Sequence, residues 1–296
     1  MNTENRTSLH KSCLVCNSSK LQELRGYEKK HLVKCQECSL IFIENKPTSE
    51  ELNAFYEHDY SITNYFSPIT KKRFEELLNQ LEPFRKTNRI LDTGCGHGYF
   101  LEVAKEKGWE VFGTELSDLA ITDCESKGIQ MHKGVLTNST YGDGYFDVII
   151  SIEFIEHINH PQTYVAQLKR ILRPGGQVYV TTPNFNSLLR YKLKSEYDVI
   201  SYPNHLSYFT SKTLQYLFES NGFKKQSIYT SGYSLTRKRT SKKESNQAFV
   251  SETSDDEMLR YRIEKNSFLR IGKSIINFFL RMFKVGDSLK GTFEKE

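Results

Sequence analysis

Seven residues, Asp92-Thr93-Gly94-Cys95-Gly96-His97-Gly98, constrain this chain more than any others. They follow a short apolar run, Arg89 to Thr93, and lead into a helical pattern that begins at Tyr99. Glycines at alternate positions between a strand and a helix mark a place where the backbone comes close to something, because a Cβ would stand in the way. In an open parallel sheet that turn lies beyond the carboxyl end of a strand, where ligands bind. The spacing is G-x-G-x-G, and Tyr99 occupies the position where a dinucleotide fingerprint needs its third glycine. No Lys-Ser or Lys-Thr follows, so the loop is not a phosphate-gripping P-loop. Glu115 closes the next strand, 21 residues after Gly94. A carboxylate there accepts hydrogen bonds from both ribose hydroxyls and repels a 2′-phosphate. Loop and acid together describe an adenosine-type ligand without a pyrophosphate.

Around this loop, strand and helix patterns alternate. The periodicity predicts strands over 89–93, 110–115, 128–132, 146–152, 177–182 and 223–229, with helices over 99–107, 118–127, 161–172 and 211–220. Pro174-Gly175-Gly176 reads as a turn, and Leu289 to Glu294 as a last strand. Such alternation predicts an α/β fold, a Rossmann-like doubly wound sheet of seven mostly parallel strands covered by helices on both faces. Upstream, Thr48 and Glu51 form a capping-box pattern. Pro68 opens a helix to about Phe84, with Phe74, Leu77, Leu78 and Leu81 at helical spacing.

Four of the six cysteines, Cys13, Cys16, Cys35 and Cys38, form two C-x-x-C pairs separated by eighteen residues. That is zinc-ribbon spacing: each knuckle aims two thiolates at one point, and two knuckles complete a tetrahedral site. With all four positions filled by Cys, the zinc is expected to be structural. A module of about forty residues buries too little core to fold alone, so the ion supplies folding energy. Cys95 and Cys124 read as small, reduced packing residues.

Composition narrows the classes. With 38% hydrophobic and 26% charged residues, 17 Gly and 7 Pro, the chain is neither collagen-like nor low-complexity. The net charge of +5 is well short of the positive footprint that binds nucleic acid by charge alone. No apolar run approaches the ~18 residues of a membrane span, and residues 1–11 show no secretory pattern. The expected compartment is the cytoplasm.

At this point the chain resembles the class I S-adenosylmethionine-dependent methyltransferases. The pieces are the Asp92–Gly98 loop, Glu115, Phe146-Asp147-Val148-Ile149-Ile150, Glu156-His157, Leu172-Arg173-Pro174-Gly175-Gly176 and Thr182-Pro183-Asn184. The resemblance implies S-adenosylmethionine as cofactor. Asp92, Gly94, Gly96 and Gly98 would hold its methionine and sulfonium end and Glu115 its ribose, with Leu116, Val135, Leu136 and Ile152 lining the rest. Related sequences often place an acid or amide after the third strand; here Gly134-Val135-Leu136 stands there, so backbone and apolar contacts are expected instead.

The ribbon, a following segment rich in Tyr and Phe, and His205-Leu206-Ser207-Tyr208-Phe209 resemble bacterial methyltransferases of sugar and surface-glycan pathways. The acceptor implied is a small molecule or glycan intermediate. Relatives that methylate sugar carbon carry His-Glu-His where this chain has Pro203-Asn204-His205, which favours oxygen. His157 and His205 are the candidate bases, each with packing or capping as the alternative. Tyr56, Tyr60 and Tyr65 are a candidate lid, and Tyr208 a further substrate contact. An RNA methyltransferase whose ribbon docks RNA is the competing reading. The expected organisation is a ribbon over 1–46, an aromatic linker and helix over 47–86, the core over 87–230, a polar insertion over 231–258, and an amphipathic helix with the final strand over 259–296. That helix has two readings: it covers the sheet edge or pairs two copies in a homodimer, or its apolar face and the flanking Arg270, Lys273, Arg281 and Lys284 lie on a membrane.

Overall fold

The computed structural model describes residues 9–48, 51, 65–241, 252 and 254–296. The chain begins with three short strands, β1 (Leu21–Glu23), β2 (Leu32–Cys35) and β3 (Ile41–Ile43), and then α1 (Pro68–Leu81). Alternation follows: β4 (Arg89–Thr93), α2 (Tyr99–Glu106), β5 (Glu110–Glu115), α3 (Asp118–Ser126), β6 (Gln130–Lys133), β7 (Phe146–Ile152), α4 (Pro161–Ile171) and β8 (Leu172–Pro183). The second half adds α5 (Leu188–Leu193), β9 (Ser207–Tyr208), α6 (Ser211–Ser220), β10 (Phe223–Ser231), α7 (Leu235–Ser241), α8 (Asp255–Lys265), α9 (Ser267–Met282) and β11 (Ser288–Lys295).

Seven strands form one sheet in the order β10-β11-β8-β7-β4-β5-β6, parallel except for β11, which runs against both β8 and β10. The expected doubly wound sheet is therefore present. The order reverses between β4 and β7, so the crevice where such sheets bind ligands opens between their carboxyl ends, at Thr93 and Ile152. β7 is buried along its length except at Ile152, as a strand covered on both faces must be. The helices start where side chains can satisfy their first amides. Ser67 accepts from Ile69 and Thr70 at the head of α1, and Thr210 and Thr213 form a capping box on α6. The Thr48–Glu51 box also forms, with both of its hydrogen bonds.

Two expectations need correcting. Pro174-Gly175-Gly176 is not a free turn but a wide bulge inside β8: Phe146 pairs with Leu172 and Val148 with Gln177, so four residues answer one. The amphipathic segment is two helices, because the Asn266 side chain accepts from Phe268 and Leu269 and caps α9 separately from α8. Within the polar insertion, Asp256 accepts from the Leu235 and Thr236 amides at the start of α7.

The ribbon sheet takes its fourth strand from the core: β3 pairs with β9, Ile41 opposite Tyr208. Its side chains also join the core. Val15, Val33, Leu40 and Phe42 belong to the same buried cluster as Leu214, Leu217 and Phe218 of α6. No helix among the described residues is long and apolar enough to cross a membrane.

Candidate active site

Two elements of the sheet build the loop end of the site. Gly94 has φ of +66°, and a Cβ on it would stand 2.1 Å from the ring of Phe154. Gly98, at +71°, precedes α2, and a Cβ there would meet Ile129 and Cys124 within 2.8 Å. The amides of Gly94 and Cys95 both donate to the Thr114 carbonyl, at 2.9 and 3.1 Å, which pins the loop to β5. Beneath it, the Thr93 and Tyr164 hydroxyls are 2.6 Å apart and Tyr164 donates to Ser151 at 3.0 Å.

Glu115 is buried at the end of β5 and binds the loop directly. One carboxylate oxygen accepts from the Gly96 amide at 3.0 Å, the other from Leu116 at 2.6 Å and Ser117 at 3.3 Å. Strand-end acid and glycine loop are thus one unit. Asp92 lies beside it, and burial pushes its carboxyl well above the usual range, with Cys124 and Glu115 adding to the effect. Leu116 and Val135 are 43% and 57% exposed at the ends of β5 and β6, apolar side chains left facing outward at the crevice end of the sheet. Leu136 is partly buried against the main core, and Ile152 closes β7.

A second group of polar side chains follows β7. Glu153 has φ of +50°, a left-handed conformation that costs ~1–3 kcal/mol and clusters at functional sites. Thr181 donates to its carboxylate at 2.8 Å and accepts from its amide. The 3-10 turn Ile155–His157 comes next, and His205 packs against His157 with ring centroids 4.8 Å apart. Both expected histidines therefore meet. Burial, with His157 alongside, lowers His205 to about 3. Glu156 completes the group, 1% exposed, its carboxyl pushed well up by burial and by Glu153. Glu153 and Glu156 were absent from the expected site; the signal was available, since an acid at the carboxyl end of a central strand is the same cue that marked Glu115.

Other expected residues fall elsewhere. Tyr208 is 3% exposed, packs on Phe185, and donates its hydroxyl to the His205 carbonyl. Tyr65 donates to Glu257 on α8 at 3.4 Å. Tyr56 and Tyr60 lie outside the described residues. Asn184 of the Thr-Pro-Asn motif is structural, donating to the Lys284 and Gly286 carbonyls and so holding the α9–β11 connection.

The four ribbon cysteines are unoxidised, with Cys13–Cys38 and Cys16–Cys35 sulfurs 3.5 Å apart and all four within 4.8 Å of one another. Zn–S bonds of about 2.3 Å in a tetrahedron put sulfurs ~3.8 Å apart, so the set fits a zinc ion.

A family model described as a methyltransferase domain matches residues 66–228. A ubiquinone biosynthesis O-methyltransferase of Aromatoleum aromaticum is 32% identical over 118 residues, covering 37% of this chain and 50% of that protein. One of Roseobacter denitrificans is 30% identical over 129 residues, covering 42% and 52%. The chain thus spans about half the length of the curated relatives it matches. Among solved structures, a SAM-dependent methyltransferase from Archaeoglobus fulgidus superposes with TM-score 0.53 at 20% identity, covering 82% of this chain and 99% of the other, which is a likeness of fold.

Proposed function

The chain belongs to the methyltransferase-domain family, and from that premise we propose that it transfers a methyl group from S-adenosylmethionine to an oxygen of a small molecule, a sugar or glycan-pathway intermediate. The observation that carries the first half is the Glu115 carboxylate clasped by the Gly96, Leu116 and Ser117 amides. The names of the curated relatives, O-methyltransferases of a small molecule, support oxygen as the target.

When bound, S-adenosylmethionine supplies a methyl group already activated on a sulfonium. The chain's own residues do the rest. Glu115 accepts from the ribose hydroxyls, Asp92 and the Gly94–Gly98 loop hold the amino-acid end, and Leu116 and Val135 cover the base with apolar surface. Holding two reactants in line can supply ~7–11 kcal/mol of the barrier, so positioning is the main contribution. Proton transfer from an acceptor hydroxyl adds ~10²–10⁴-fold when a group lies within hydrogen-bond reach, and the Glu156–His157–His205 cluster is where that transfer is assigned. Zinc at the four cysteines is structural in this reading, and the ribbon buttresses the acceptor side rather than docking a separate ligand.

The RNA reading gains nothing specific. Among the basic side chains of the polar insertion, Arg237 pairs with Asp198 and Arg239 with Asp255. The amphipathic helix is read as a membrane rest: Phe268, Ile271, Ile275, Ile276 and Phe278 on α9 are 54–85% exposed. Residues 267–285 hold four basic side chains and no acid, which suits an anionic lipid surface and disfavours a second copy of the same helix. The function is tested by incubating the chain with methyl-labelled cofactor and a panel of nucleotide-linked and lipid-linked sugars. Label in an acceptor, lost in Glu115→Ala, is expected; label appearing only in RNA would overturn the acceptor class.

A further inference from the structure

One row of side chains across the sheet has no task in methyl transfer itself. Ile152 of β7 pairs with Thr181 of β8, Thr181 with Lys290 of β11, and Lys290 with Tyr229 of β10, so the four stand side by side on one face. Against that row come α1, α8 and α9. Lys72 of α1 reaches Glu264 of α8 at 3.7 Å, and the Arg281 guanidinium of α9 lies 4.4 Å over the Tyr229 ring. The acids of α8 are already engaged: Glu257 takes Arg260, Tyr65 and Ser67, and Glu264 is shared by Lys72 and Lys273. Arg73 of α1 and Lys290 make no ion pair and no side-chain hydrogen bond among the described residues. Burial lowers both, with Arg260 adding at Arg73, and Arg73, Arg281 and Arg260 adding at Lys290. These cations thus crowd one space and repel one another. Tyr179, two residues before Thr181 and on the same face, is 8% exposed, and its hydroxyl has no hydrogen-bond partner among the described residues. A buried tyrosine hydroxyl ordinarily finds one. Arg73 and Glu153 keep access to solvent although surrounding protein is the first influence on each, as groups lining an open cleft do.

We propose that Arg73, Lys290 and the Tyr179 hydroxyl form an anion site that holds a phosphate or diphosphate group of the methyl acceptor. Arg and Lys side chains only donate, and a guanidinium fork matches two phosphate oxygens at once. A phosphate between Arg73 and Lys290 removes the repulsion that crowds them and gives the Tyr179 hydroxyl an acceptor. The sheet order sets the reach. β11 lies three strands from β4, about 14 Å at the usual strand spacing. A phosphate held at β11 therefore leaves room for a sugar ring before the glycine loop that follows β4. Glu153, after β7, stands between the two ends, and Thr181 donates to it at 2.8 Å. Burial raises the Glu153 carboxyl, which lessens its repulsion of a bound phosphate. That the anion belongs to the acceptor rests on the methyl-transfer reading; the anion site itself does not. Two independently hydrated cations are the competing account of the same side chains.

The full chain is titrated calorimetrically with inorganic pyrophosphate at constant ionic strength, beside Arg73→Gln, Lys290→Gln and Tyr179→Phe. The expected result is saturable binding of one pyrophosphate per chain, weakened ~10-fold or more in each charge variant and less in Tyr179→Phe. S-adenosylhomocysteine affinity, measured on the same samples, stays near the wild-type value and shows that the variants are folded. No saturable heat in the wild type, or equal affinity in wild type and charge variants, overturns the site. Uridine diphosphate and a short-chain prenyl diphosphate, titrated in turn, tell a soluble source of the diphosphate from a lipid-linked one by which of them binds more tightly than pyrophosphate. Pyrophosphate bound more tightly than either overturns the assignment to an acceptor. A chain that binds S-adenosylhomocysteine but not pyrophosphate sinks only the anion site; one that binds pyrophosphate alone sinks the methyl-transfer reading and leaves the anion site standing.

Discussion

Gly176 leaves the chain no freedom behind the site. A Cβ there would stand 2.8 Å from the Asp147 carbonyl oxygen and 2.9 Å from that of Arg173, backbone atoms that cannot rotate aside. Gly176→Ala is expected to cost ~1–3 kcal/mol, read as a lower urea midpoint at unchanged slope. Gly94 differs, because the atom in the way belongs to the Phe154 ring, which can swing out. Gly94→Ala should therefore weaken S-adenosylhomocysteine binding much more than it lowers the melting temperature, and a calorimetric titration beside a thermal melt checks this. His10 carries a pH signature. Burial, with Lys46 and His160 adding, lowers it from 6.5 to about 4. Between those values the unfolded chain binds the proton and the folded chain does not, so stability falls as pH drops from about 6.5 to about 4. His10→Gln should flatten that slope in urea titrations taken across the window.

At the scale of elements, Asp147 ties β7 to its neighbours. Fully buried, it accepts from the amides of Lys86, Thr87 and Asn88 and from Arg173 in the β8 bulge at 2.6 Å. Burial would raise its carboxyl, but the guanidinium and the amides outweigh it and hold it below the usual range. That contribution is present above the unfolded value near ~3.9 and is lost as pH falls through the lower folded value. Asp147→Asn at neutral pH is expected to cost ~3–5 kcal/mol in denaturant melts. The same elements show what a sequence can convey. β4, β5 and β7 were legible because strands buried on both faces are apolar runs bounded by glycine or acid, and the Gly94–Gly98 loop with Glu115 was legible because ligand chemistry restricts those positions. β9 was not, since two residues carry no periodicity and their partner, β3, lies far away in sequence. The burial of Tyr208 was hidden for the same reason: it follows from that pairing. The break at Asn266 hid because the apolar spacing runs on through a capping side chain.

For the whole molecule, the ribbon and the methyltransferase fold share one core and one strand pairing, and Leu206 of that joint also links the Ile43 amide to the Glu156 carbonyl. With zinc held at the four cysteines as proposed, stripping it is therefore expected to lower acceptor turnover while leaving S-adenosylhomocysteine affinity nearly unchanged, a split that kinetics and calorimetry read separately. Vesicles of anionic lipid should co-sediment the chain, and Ile275→Ser with Phe278→Ser should release it; equal binding to neutral vesicles would remove the charge argument. The central claim is that the glycine loop and Glu115 hold the adenosyl cofactor, and calorimetric titration of the metal-loaded chain with S-adenosylhomocysteine tests it most directly. The account predicts micromolar binding that Glu115→Ala and Asp92→Ala each weaken by ~100-fold or more, about two charged hydrogen bonds. A folded wild-type chain that gives no heat of binding would contradict it.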